Sequence, residues 1–130
     1  MLWTIDSALD DDLIHLIARN DDMGIYEFRV GELKTIVTVE VGRSPSSERG
    51  RYHRSHDIKT PLQAGPYHQL QMFWDDVPDA LHQAIGSITG YYSLAIANGH
   101  KPQEDWLVER RSAWPWRLSE DPQARSAPHT

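Results

Sequence analysis

Alternating apolar and polar residues between positions 25 and 42 predict two antiparallel strands. Tyr26, Phe28 and Val30 alternate with charged side chains before a turn at Gly31, and valines alternate with polar residues from 37 to 41. Period-two alternation rich in aromatic and β-branched residues is typical of strands with one buried face, and a glycine between two such runs indicates a hairpin. We predict that this hairpin ends at Gly42.

An apolar stripe at helical spacing predicts a long helix over residues 77–97. Asp76 is a suitable N-cap, Pro78 fits the first turn because a missing N–H is harmless there, and Gly99 follows the predicted end. Such a stripe gives the helix one face for the core. Its residues are Val77, Leu81, Ala84, Ile85, Ile88, Tyr91, Tyr92 and Ala95.

A second face of the same helix carries small residues at Gly86, Gly90, Ser93 and Ala97. Residues without bulky side chains let another backbone approach closely. Two interpretations follow. The first is tight packing of this face on the sheet or on a neighbouring helix, and the second is a helix–helix seam between two copies of the chain.

The pattern near the N-terminus is ambiguous between a helix and a strand. Leu9, Leu13, Leu16 and Ile17 lie on one face of a helix over residues 8–20, for which Ser7 is a natural N-cap. A strand over residues 13–18 is the alternative, and it would place apolar side chains on both of its faces. We adopt the helix as the prediction.

Residues 43–75 are predicted to form a long irregular connection, because three prolines and two glycines in this stretch argue against a helix or a central strand. Its second half is expected to pack on the core, and residues 106–108 are a candidate short strand. The sequence thus predicts a small α+β domain over residues 1–118, with an antiparallel hairpin packed against one long helix and a shorter N-terminal helix. Residues 119–130 are predicted to be a flexible polar tail.

The composition restricts the class of protein. A chain of 130 residues is long enough for one domain, and 39% hydrophobic with 25% charged residues is typical of soluble globular proteins. The absence of cysteine excludes disulfides and thiolate chemistry. No apolar run is long enough to cross a bilayer, and the N-terminus lacks the features of a signal peptide. We therefore expect a cytoplasmic protein that does not interact with membranes.

Charge is distributed unevenly along the chain. Residues 43–59 hold five cations and two anions, a net charge of +3, whereas the other residues hold eight cations and seventeen anions, a net charge of −9. The acidic majority repels nucleic acid at long range, so we do not expect DNA or RNA as a bulk ligand. The basic segment is suited to one phosphate group or to an acidic surface of a partner.

The basic segment also contains candidate metal ligands. His53, His56 and Asp57 are residue types that bind zinc, and His68 follows further along the chain. Neighbouring cations oppose a divalent ion, and no helix fixes the spacing of the histidines. We predict no metal site and no cofactor.

A metal-independent phosphoester reaction is an alternative use of the same segment. Such a reaction needs a base and an acid, for which His53 and His56 are the candidates, and a cation such as Arg54 or Lys59 to stabilise developing charge. Ser55 precedes His56 outside any nucleophile-elbow motif, so we do not predict a serine nucleophile. A solvated loop with incidental histidines explains the segment more simply.

Residues that favour protein binding lie in the basic segment and near the C-terminus. Trp and Arg are enriched among the residues that dominate binding at protein interfaces. The predicted contact set is Arg49, Arg51, Arg54, Lys59, Trp114, Trp116 and Arg117. An alternative for the two tryptophans is that they fold back onto the core.

Acidic clusters at residues 6–12, 19–22, 74–76 and 103–106 also have two interpretations. They cap helices and maintain solubility, or they form an acidic surface for a basic partner such as a nuclease or a nucleic-acid-binding protein.

The leading hypothesis is a small acidic binding or regulatory protein that docks on a protein partner, with inhibition and homodimer formation as further expectations. The alternative is a phosphoester- or nucleotide-processing enzyme. A third hypothesis is a small-molecule pocket lined by Tyr26, Phe28, Tyr91 and Tyr92.

Overall fold

A four-stranded antiparallel sheet with the order β1-β2-β3-β4 forms the centre of the computed structural model, which describes residues 2–45, 47–66 and 73–110. These strands are β1 (Ile14–Asn20), β2 (Ile25–Val30), β3 (Val37–Arg43) and β4 (Gly50–Arg54). A second, two-stranded sheet consists of β5 (His56–Ile58) and β6 (Leu107–Glu109). The helices are α1 (Ile5–Leu9), α2 (Val77–Ala97) and a 3-10 turn at Glu104–Trp106. The predicted α+β class is confirmed.

Helix α2 packs on one face of the sheet and covers the core. Asp76 caps its N-terminus by accepting a hydrogen bond from the Asp79 N–H at 2.9 Å, and Pro78 lies in the first turn, as predicted. The predicted hairpin is also confirmed, because β2 pairs antiparallel with β3. Burial of each large apolar side chain stabilises the fold by about 1.5–3 kcal/mol. The core contains Phe28, Val37, Val39, Leu81, Ile85 and Ile88, all buried.

The predicted N-terminal helix over residues 8–20 is wrong from residue 10 onward, and the N-cap is Thr4 and not Ser7. Helix α1 is short and begins after Thr4, whose hydroxyl accepts a hydrogen bond from the Ser7 N–H at 3.0 Å. Asp11 then turns the chain: its carboxylate accepts from the Leu13 N–H at 2.9 Å and its carbonyl oxygen accepts from the Ile14 N–H at 3.1 Å. The chain continues as β1, as in the strand alternative, because pairing with β2 satisfies backbone groups that a helix would satisfy internally.

The predicted irregular connection is wrong for residues 50–58, which form β4 and β5. Gly50 begins β4 and exchanges two backbone hydrogen bonds with Trp74, at 2.9 and 3.0 Å. A side chain at position 50 would overlap the carbonyl oxygen of Asp76, so glycine allows the start of α2 to approach the strand. Tyr52 stacks on Trp74 with 4.8 Å between ring centroids. The prolines of this stretch lie outside both strands and leave the ladder uninterrupted.

The predicted short strand at residues 106–108 is confirmed as β6, one residue further along. Glu104 lies just before it and accepts hydrogen bonds from the Lys34 N–H at 2.8 Å and the Thr35 N–H at 3.1 Å, which ties the β2–β3 connection to β6. In the part of the chain that the structure describes, no helix has the length and hydropathy needed to cross a membrane. The predicted domain limit at residue 118 and the tail at 119–130 lie outside the described residues.

Candidate functional site

The predicted histidine segment lies at the corner where the chain passes from β4 to β5. Ser55 forms this corner: its N–H donates to the Thr38 carbonyl oxygen at 2.8 Å, and its Oγ accepts from the Thr38 N–H at 2.8 Å. These two bonds hold the corner against β3. His53 precedes the corner and His56 follows it, so the two imidazoles belong to different sheets.

Arg54 is fully buried and connects the sheet to α2. Its Nη1 donates to the Ala84 carbonyl oxygen at 3.1 Å and to the Ser87 hydroxyl, and its Nη2 lies 3.3 Å from Asp57 Oδ1. The other carboxylate oxygen of Asp57 lies 3.5 Å from Nε of Arg110. The predicted partner contact and the predicted catalytic cation both require an accessible guanidinium, whereas this one is enclosed beneath the helix. In the structure Arg54 is a buried structural cation.

His53 is also buried, with 6% of its surface exposed. Burial lowers the pKa of His53 to about 4, and the positive charges of Arg110 and Arg54 lower it further than the carboxylate of Asp57 raises it. The imidazole is therefore neutral at pH 7. A general acid or base needs contact with substrate and a pKa near the working pH, and neither condition is met at this position.

His56 is half-buried and lies opposite Glu109 in the β5–β6 pair. Burial lowers its pKa, while the carboxylates of Glu109 and Asp57 act in the opposite direction. Its Nδ1 lies 2.7 Å from Ser55 Oγ. Ser55 Oγ also accepts the Thr38 N–H, so the Ser55–His56 contact belongs to the hydrogen bonds that hold the corner.

Metal binding has no support in the described residues, where no group of three His, Cys, Asp or Glu side chains is arranged to hold an ion. His68 lies outside these residues. Lys59 is exposed at the end of β5, and its backbone N–H donates to the Trp106 carbonyl oxygen at 2.7 Å. The structure therefore does not bring the four candidate catalytic residues together around one accessible point.

The other predicted contact residues of the basic segment lie at or near the surface. Arg49 is exposed, with its guanidinium 5.9 Å from the centroid of the Phe73 ring, and Arg51 is half-buried on β4. Arg49 and Lys59 are the cations of this set that the structure leaves most accessible. The predicted contacts at Trp114, Trp116 and Arg117 lie outside the described residues and stay predictions.

The aromatic residues suggested for a small-molecule pocket pack into the core instead. Tyr26, Phe28 and Tyr92 are buried, and Tyr91 is half-buried. The Tyr92 hydroxyl accepts a hydrogen bond from the Glu32 N–H at 3.1 Å, which ties the C-terminal half of α2 to the β2–β3 connection. These contacts account for the aromatic residues without a ligand.

The small-residue face of α2 points away from the sheet. Apart from the adjacent residues and the backbone of α2 itself, no described atom lies within 4 Å of where a Cβ would stand at Gly86 or Gly90, and Ser93 and Ala97 are exposed. Gly86 and Gly90 line an open groove of about 710 Å³ that also includes His82, Gln83, Ser87, Tyr91 and Leu94. The glycines of this face therefore do not pack on the sheet. The second interpretation, a helix–helix seam between two copies of the chain, stays a prediction.

Strand β1 presents a surface that was not predicted. Ile14 is buried, but the six residues that follow are all exposed. Leu16 and Ile17 have 44% and 47% of their surfaces exposed, and a bulge between Leu16 and Ala18 leaves Ile17 without a residue opposite it on β2. The available signal in the sequence was the strand alternative itself, which placed apolar side chains on both faces of this segment.

Aspartates surround both ends of β1. Residues 2–24 contain six aspartates and one arginine, a net charge of −5. Arg19 is held by two of the aspartates at 2.8 and 2.9 Å, so its charge is already compensated. Asp10, Asp12 and Asp22 are exposed and form no ion pair with any described residue. The result is a surface with apolar residues at its centre and unpaired negative charge at its ends, which we name the β1 surface.

Comparison of the chain with protein-family models, with curated proteins and with solved structures gave no match. The buried β4–β5 corner contributes to stability, and the β1 surface is the most distinctive accessible feature.

Proposed function

We propose that this protein is a non-catalytic acidic binding protein that docks on a basic protein partner and inhibits it by covering its surface. The observation that carries the proposal is the β1 surface, where Leu16 and Ile17 are exposed between unpaired aspartates. Protein interfaces combine an apolar centre with a polar rim, and complementary charge accelerates and orients their association. A protein that binds nucleic acid carries the complementary positive surface.

The β4–β5 corner supports a non-catalytic role. His53 is buried and neutral, and Arg54 is bound beneath α2, so neither supplies accessible acid–base or electrostatic catalysis. On this proposal the accessible cations Arg49 and Lys59 and the half-buried Arg51 are secondary contacts for acidic parts of the partner. We expect no turnover of nucleotide phosphoesters, and a turnover that His56→Ala abolishes would overturn the non-catalytic assignment.

We place this function in the cytoplasm, which the absence of cysteine supports because small exported domains commonly depend on disulfides.

We also propose self-association through the face of α2 that contains Gly86, Gly90, Ser93 and Ala97, which is open to solvent and lacks bulky side chains. Sedimentation at several protein concentrations tests it. Gly90→Leu is expected to abolish a dimer and leave a folded monomer, and a wild-type protein that is monomeric at all concentrations rejects self-association.

The docking proposal is tested with a purified partner. The tagged protein retains this partner from the cells that produce it, and association is then measured over a range of salt concentrations. We compare a variant neutralised at Asp10, Asp12 and Asp22 by asparagine with a control in which Glu48, Asp75 and Asp105 become amides. Both variants change the net charge equally, but the control acids lie outside residues 2–24, which contain β1 and the aspartates on either side of it in the sequence.

The neutralised β1 variant is expected to associate about tenfold more slowly at low salt, because fixed charge near an interface acts mainly on the rate of encounter. High salt should reduce the difference, since exposed charges are screened. The control should bind at nearly the wild-type rate. Equal rates for all three proteins would show that the partner does not use the acidic surface, and the proposal would fail.

A further inference from the structure

The outer side of β1 has backbone groups with no partner in the described part of the chain. The sheet order places β1 at an edge, with β2 on its other side. The Gly31 N–H donates to the Leu13 carbonyl oxygen at 2.6 Å, which makes these residues a hydrogen-bonded pair. Such pairs alternate along an antiparallel ladder, so the N–H and C=O of Leu16 point away from β2.

Beyond the bulge, the hydrogen bonds between β2 and β3 show which backbone groups of β1 point outward. The Val41 N–H donates to the Gly24 carbonyl oxygen at 2.8 Å, so alternate residues of β2, including Tyr26, direct their backbone groups toward β3. Arg19 lies opposite Tyr26 and therefore also directs its N–H and C=O outward. Leu16 and Arg19 thus offer two donor–acceptor sets along the free edge.

The side chains at this edge match the backbone pattern. Leu16 is opposite Phe28, which is fully buried, so Leu16 lies on the core side of the sheet but beyond the cover of α2. A fifth strand beside β1 would bury the exposed part of Leu16 and extend the core by one position. An edge of this length with apolar residues is a template for pairing with another chain.

A second copy of this protein is a poor occupant of the edge. Antiparallel pairing centred on Ile17 would place Asp12 of one copy near Asp22 of the other, at both ends of the pair. Parallel pairing would place each aspartate near its own equivalent. Like charges directly opposite each other destabilise strand pairs, so the aspartates disfavour self-pairing and favour a strand with positive ends.

We propose that β1 accepts an extended strand from a basic protein partner, with backbone hydrogen bonds to Leu16 and Arg19 and basic side chains near the flanking aspartates. This inference rests on the proposed docking function and specifies that docking occurs by addition of a strand to the sheet edge at β1. Addition of a strand to a sheet edge is a common form of peptide recognition, in which the backbone supplies affinity and the side chains supply specificity.

The probe is a synthetic peptide, acetyl-KKVTVTVKK-amide, with acetyl-EEVTVTVEE-amide as its charge-reversed control. Amide hydrogen exchange of the full chain is followed by NMR at low ionic strength and low protein concentration. We expect fast exchange at Leu16 and Arg19 in the free protein, slowed at least about tenfold by the basic peptide and unchanged by the acidic one. Protection of these amides in the free protein would show that the chain itself or a second copy occupies the edge, which overturns the proposal, as does peptide binding without protection.

Two variants at position 16 separate the contribution of the backbone N–H to peptide binding from that of the side chain. Leu16→Pro removes an N–H that β2 does not use, so the β1–β2 ladder is retained, while Leu16→Thr keeps the N–H and removes apolar surface. We expect the basic peptide to lose more than tenfold in affinity for Leu16→Pro and much less for Leu16→Thr, with thermal unfolding as the check on folding. If Leu16→Pro does not fold, the exchange experiment on the wild-type protein decides.

The same variants distinguish this inference from the docking proposal. A partner that binds Leu16→Pro normally but loses association with the neutralised aspartates leaves docking intact and removes strand addition. If the partner associates equally fast with the wild-type protein and with the variant neutralised at the aspartates, both the docking proposal and strand addition fail.

Discussion

Replacement of Arg54 by methionine tests whether the buried cation is structural. Methionine has a similar length and fills much of the same space, but it removes the charge and the donors. The change removes the guanidinium that lies 3.3 Å from one oxygen of the buried Asp57 carboxylate, while Arg110 stays 3.5 Å from the other oxygen. The Ala84 carbonyl oxygen also loses the guanidinium that now donates to it. The site then contains a buried charge that is poorly compensated.

The expected loss of stability is large for a single substitution. Removing one partner of a buried ion pair typically costs about 3–5 kcal/mol, because the other charge stays buried. For a domain of this size that corresponds to a fall of roughly 12–20 °C in Tm. Replacing both partners by apolar residues is often close to neutral, so Arg54→Met/Asp57→Leu is expected to be more stable than Arg54→Met alone.

Urea unfolding followed by circular dichroism measures these differences on the full chain. Arg49→Met is the matched control, because Arg49 is exposed and the same change there should cost less than about 1 kcal/mol. The slope of the transition should be unchanged, which identifies a change in stability and not in the unfolded state. An Arg54→Met variant as stable as the Arg49→Met control would refute the assignment of Arg54 to the core.

Three further outcomes follow from the same structure. The contribution of His53 to stability should be constant above about pH 6.5 and fall toward pH 4, because the folded state holds His53 neutral with a pKa of about 4 while the unfolded chain takes up the proton. His56 adds to the same fall, since burial lowers its pKa as well. His53→Gln should therefore reduce the slope of the urea midpoint against pH over that range, and an unchanged slope would assign the dependence to other groups. Gly50→Ala should destabilise by more than about 2 kcal/mol in urea unfolding, since its methyl group would overlap the backbone of Asp76. Gly90→Ala should instead stabilise by about 0.5–1 kcal/mol, because the site is open and alanine favours the helix; a loss of stability there would indicate that the face is packed.

The elements that were predicted correctly are those whose signals are local and mutually consistent. Helix α2 has an N-cap at Asp76, a proline in its first turn, a long apolar stripe and a glycine after its end, so propensity, capping and periodicity all indicate the same element. The β2–β3 hairpin has strict alternation on both sides of a turn at Gly31. Each pattern is complete within about twenty residues and needs no information from the rest of the chain.

The N-terminal segment shows why a short apolar pattern is insufficient. Leu13, Leu16 and Ile17 fit a helical face as well as a strand with two apolar faces, and the choice depends on whether β2 is available as a neighbour. The bond from the Gly31 N–H to Leu13 joins residues far apart in sequence, and no local pattern reveals it.

Local patterns in the sequence were sufficient to predict the α+β class, the long capped helix, the central hairpin and the uneven distribution of charge. The accessibility of each charge depends on the folded chain: Arg49 and Arg54 are the same residue type five positions apart, yet one is exposed and the other is enclosed beneath α2. The position of β1 at the edge of the sheet also depends on the fold, since an edge strand lacks a second neighbour among the described residues. Burial and pairing are properties of distant segments that meet in space, and a linear pattern does not contain them.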